Sequence, residues 1–151
     1  MRKQSVLLTC TYIVLLWFLF DILLCLTSCS EKKYTHEEYM ILIRAEQIYN
    51  DSVGSEWSKE FKLEGDSIQS GDTIQIPIGS KTTKTLDIII TEKDDWPDVG
   101  SGSISILIED GYETSAEITV IEDQGRFKGN KAKWKITCTV RHVRNIACET
   151  S

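Results

Sequence analysis

The sequence predicts a mainly β protein, a small antiparallel β-sandwich preceded by one short helix. Three observations predict it. From Glu56 onward, apolar residues recur at every second position in successive short runs, each with one face to bury. Turn-forming groups such as Gly71-Asp72, Gly79-Ser80 and Asp110-Gly111 separate those runs. Ahead of them, Thr35 with Glu38 three residues on makes a capping box in front of an apolar stripe at helical spacing.

The N-terminal segment reads as an address rather than as part of the fold. Arg2 and Lys3 precede the apolar run Val6 to Phe20, and Leu26-Thr27-Ser28-Cys29 follows, the order of an export signal. Asp21 counts against a lasting membrane span, because a carboxylate at the centre of a bilayer costs about 3 kcal/mol on insertion scales. The motif ending in Cys29 resembles the lipobox of bacterial lipoproteins. That resemblance implies that residues 1–28 are removed and that Cys29 becomes a diacylglycerated N-terminus carrying palmitate-type chains. It also implies outer-membrane sorting, since Ser30 stands where retained lipoproteins carry Asp. The expected layout is a signal over 1–28, a lipidated tether over 29–34, a helix over 35–54 and a β-domain over 55–151.

In the helix, Tyr39, Leu42, Ala45 and Tyr49 form the apolar face, and Asn50-Asp51 with Gly54 supplies the stop. A weak strand around Phe61 and Leu63 comes next. Ile74, Ile76 and Ile78 form a strand in which Pro77, unable to donate to a ladder, requires an edge or a bulge. Leu86, Ile88 and Ile90 alternate with polar residues, as do Ile104, Ile106 and Ile108, and then Ala116, Ile118 and Val120. The clearest strand is the last, with Trp134, Ile136, Cys138 and Val140 on one side and lysines and threonines on the other. Short strands at this spacing argue for a sandwich. The alternative is an α+β domain that resembles cystatins, with the helix packed across one curved antiparallel sheet.

The chain has 151 residues and a net charge of −6; without 1–28, 123 residues remain, with 15 basic and 22 acidic side chains. That is one modest core, and nucleic acid is excluded as a partner by charge. Asp87 to Asp123 is acidic and Arg126 to Arg144 basic, as expected if neighbouring strands set Lys133, Lys135 and Arg141 beside carboxylates such as Glu117. Cys10 and Cys25 leave with the signal, so Cys138 and Cys148 remain as one expected disulfide in an exported domain.

Catalytic patterns are missing: no G-x-S-x-G, H-E-x-x-H, P-loop or dinucleotide motif occurs, and the only imidazoles are His36 and His142. The expectation is therefore not an enzyme but a binding or structural accessory domain for an envelope protein or glycan. An inhibitor or immunity-type protein is the alternative, with a hydrolase behind it. The stretch Thr91 to Gly100 between two strands resembles the acidic loop of C2-type sandwiches, which implies Glu92, Asp94 and Asp98 as ligands of calcium, a hard cation that takes six to eight oxygens. Without calcium no cofactor is expected. Trp96, between Asp95 and Pro97 in that loop, is a candidate contact residue.

Overall fold

The computed structural model describes residues 33–147. The signal segment, the lipobox with Cys29, and Cys148 lie outside the described residues. Eight strands build two four-stranded antiparallel sheets. They are β1 (Tyr34–Asn50), β2 (Trp57–Leu63), β3 (Asp66–Ser67), β4 (Thr73–Pro77), β5 (Thr83–Glu92), β6 (Val99–Leu107), β7 (Glu113–Ile121) and β8 (Lys131–Ala147). The first sheet has the order β4-β1-β8-β7 and the second β3-β2-β5-β6.

The inner faces of both sheets feed one core, in which Ile41, Leu86, Ile88, Ile90, Ile106, Val120, Ile136 and Val140 are fully buried. Each such side chain contributes about 1.5–3 kcal/mol of transfer free energy, largely offset by the entropy of ordering the chain. Between the sheets, Trp57 of β2 meets Trp134 of β8 edge to face, with ring centres 5.4 Å apart. Lys59 Nζ lies 4.6 Å from the centre of the Trp134 ring, so β2 carries a cation over the same aromatic. Pro77 ends an edge strand, opposite His36. Glu117 stands directly opposite Lys135 on β7 and β8.

The expected helix is replaced by β1. Residues Tyr34–Asn50 form a 17-residue strand, and among the described residues there is no helix. This also removes the cystatin-like alternative, which needs a helix to lay on its sheet. The physical reason lies in Tyr39-Met40-Ile41-Leu42-Ile43, a continuous apolar run that fits either period. The helical stripe used Tyr39 and Leu42; the strand buries Tyr39, Ile41 and Ile43 and leaves Leu42 exposed. Pairing with β8 from Tyr34–Ala147 to Asn50–Ala132 decides between them, tertiary contacts overriding a weak local propensity. The supposed capping box does other work. Glu38, which a register shift next to Tyr39 turns inward, accepts a 2.7 Å bond from the Arg144 guanidinium and a longer one from the Thr73 hydroxyl.

The expected disulfide is not found among the described residues, which leave out Cys148. Cys138 is a free, fully buried thiol on the inward face of β8.

Candidate functional site

β1, β5 and β7 all finish at the same end of the sandwich, where β2, β6 and β8 begin. Three loops meet there: residues 51–56, 93–98 and 122–130. Asn50 shapes the first, its side-chain amide donating to Gly54 O and its oxygen accepting from Val53 N–H, at 2.8 and 3.0 Å. Val53, 2% exposed, plugs the core from above. Gly54 has φ +131°, and a Cβ there would run into the Glu92 carboxylate. Only glycine meets both demands.

The loops are tied together by main-chain bonds. Lys93 N–H donates to Glu56 O at 2.6 Å, and Asp51 N–H to Lys131 O at 3.0 Å. Glu92 N–H donates to Asp98 O at 2.9 Å and closes the second loop. Within it, Trp96 N–H donates to Asp94 Oδ1 at 2.7 Å, and this turn leaves the indole 63% exposed. In the third loop Asp123 N–H donates to Asp98 Oδ1 at 3.1 Å.

Four carboxyls collect at this junction. Glu92 and Asp98 are buried, and each keeps one oxygen, Oε2 and Oδ2 respectively, with no hydrogen-bond partner. The Glu92 carboxyl meets that of Asp94, and the Asp98 carboxyl meets that of Glu122. Burial first, and then the charges of Asp94 and Asp98, push the Glu92 carboxyl above its ordinary value, against a smaller opposing bond from the Glu56 backbone. Burial and then Asp98 push Glu122 up in the same way. The ion pairs among the described residues, Arg44–Glu46, Lys62–Glu60 and Arg144–Glu38, leave this group without a basic partner. An open pocket of about 700 Å³ is lined by Glu92, Asp94, Glu122 and Phe127.

Of the three carboxyls singled out in the sequence, Glu92 and Asp98 are buried while Asp94 is exposed. Glu122 was not anticipated, although it follows directly on the alternating run that ends at Val120 and Ile121. Counting strand ends in an antiparallel sandwich would have placed it beside the acidic loop. The four stand as two pairs; among the described residues no group of three or more Asp, Glu, His or Cys side chains is already arranged to hold a metal ion.

Apolar residues surround the carboxyls. Of ten exposed large apolar side chains among the described residues, Ile48, Tyr49, Trp96, Val99, Ile121 and Phe127 lie on the last residues of β1 and β7, the first of β6 or the loops at this end. That concentration singles this end out as a contact surface. The imidazoles lie elsewhere, His36 beside the Thr35 hydroxyl and His142 beside the Asn145 amide, with its ring edge on Tyr39. In comparisons with protein-family models, curated proteins and solved structures, the chain matches none of them.

Proposed function

We propose that this chain is a lipid-anchored envelope protein whose β-domain binds a partner protein through the loop end of the sandwich. The observation that carries the reading is the gathering of Trp96, Phe127, Val99 and Ile121 around a carboxyl cluster at one end of the domain. Aromatic anchors set in an otherwise polar rim are the usual make-up of a binding hot spot. Four carboxyls beside them favour a partner surface rich in Lys and Arg, which speeds encounter and excludes acidic competitors.

The anchor reading rests on the lipobox and on its position. Cys29 lies five residues before β1, and the contact loops lie at the opposite end of that strand. A domain held at Tyr34 therefore carries Trp96 on its far side. The test is capture from envelope extracts with the lipidated full chain as bait. A protein band retained by the wild type and lost with Trp96→Ala plus Phe127→Ala supports the reading. Equal capture by that double variant contradicts it. Both side chains are exposed, so the variant keeps its fold, and an unchanged melting temperature checks this.

A further inference from the structure

We propose that the end of the sandwich where β1 starts and β8 finishes docks on an anionic lipid surface, through Tyr34, Ile78 and Val143 and the cations among them. The docked domain holds its loop end away from the membrane. This docking rests on the lipid anchor proposed above and goes beyond it, since an acyl chain alone fixes neither an orientation nor a contact of the domain. The length of chain ahead of β1 is the first support. Cys29 stands five residues before Tyr34, and a fully extended chain of that length reaches about 18 Å. An acyl group on Cys29 therefore keeps the start of β1 close to the headgroups.

The shape and chemistry of that end are the second. β7 pairs with β8 only as far as Thr139, and the β6–β7 connection follows it through Gly111 N–H to Val140 O and His142 N–H to Asp110 Oδ1. β1 and β8 stay paired to Tyr34 and Ala147, about 16 Å past His142 at the usual rise of a strand. Ile78 N–H donates to Thr35 O beside that tip. Of the exposed large apolar side chains that are not at the loop end, Tyr34, Ile78 and Val143 are all here, Val143 where the β1–β8 register shifts. A tyrosine, apolar in its ring and polar at its tip, suits the headgroup level. Residues 78–82 and 143–147 carry Lys81 and Arg144 and no acid, and Lys33 precedes β1. Glu109 and Asp110 stand at the level of His142, behind the tip, and Glu64 and Asp66 flank the β2–β3 turn in the other sheet. An anionic surface attracts the cations of the tip over about a Debye length and repels the carboxyls of the loop end.

The test places the full chain, its acyl state read by intact mass, in vesicles of phosphatidylcholine and phosphatidylglycerol that carry a quencher on the headgroup. A fluorescent residue excited outside the tryptophan band stands at position 78 or at position 96. The expected result is strong quenching at 78 and little at 96. Lys33→Glu plus Lys81→Glu, both at exposed positions, should lower the quenching at 78 several-fold with the acyl mass unchanged, because each lysine near an anionic surface favours the docked state by about fivefold. Equal quenching at 78 and 96 in an acylated chain overturns the docking and leaves the anchor standing. Undiminished quenching at 78 in the charge-reversed variant also overturns it, since the tether alone then brings that end to the lipid. A chain whose mass shows no acyl group, and which stays off the vesicles, overturns anchor and docking together.

Discussion

Cys138 sits between Ile136 and Val140 on the inward side of β8, and burial pushes its thiol up to about 11. Nucleophilic attack needs the thiolate, so the folded chain should resist alkylation near neutral pH. Peptide mapping after iodoacetamide treatment should find Cys138 unmodified until denaturant is added; rapid labelling of the folded protein would contradict its placement. The same shift fixes a sign. Unfolded, the thiol loses its proton near its ordinary 9.0, whereas the folded chain keeps it to about 11. Stability from this group is therefore complete below pH 9 and declines as pH rises through that interval. At the same scale, Gly54 beside Glu92 is legible only in three dimensions, because neither its φ nor its neighbour can be read from Val53-Gly54-Ser55.

Where two elements approach closely, small residues mark the place. Gly100 and Gly102 of β6 face β7, and a Cβ on Gly100 would stand 2.5 Å from Thr119 O and 2.9 Å from a Val120 methyl. Backbone cannot yield as a flexible side chain can, so Gly100→Ala should destabilise the protein by about 1–3 kcal/mol, the range for overpacking. Ser101→Ala, exposed on the other side of the same strand, is the control. Chemical denaturation of both variants checks the contrast, and equal midpoints would contradict the close packing of β6 on β7. Strands with strict alternation, such as Leu86 to Ile90 and Trp134 to Val140, were legible in the sequence down to the buried face. β1 was not, because Tyr39 to Ile43 satisfies two periods at once and only its pairing with β8 selects one. The two-residue β3 is too short to carry any pattern.

At the scale of the whole molecule, one end of a two-sheet sandwich combines exposed aromatics with carboxyls that the fold leaves without a basic partner. Three of those carboxyls were legible as an acidic loop, and Trp96 as a candidate contact residue within it. Glu122 and Phe127 join them only because antiparallel strands bring distant loops together. The proposed tether at Cys29 leads into the other end, through Tyr34, where β4 finishes and Ile78 is exposed. The most direct measurement is photo-crosslinking in intact cells, with a photoreactive residue placed at position 96 or at position 78, each with Cys29 intact or as Cys29→Ala. The account predicts a crosslink to one protein from position 96, little from position 78, and loss of the product with Cys29→Ala, which removes the proposed acylation site. Equal crosslinking from both ends, or an undiminished product without Cys29, would contradict it.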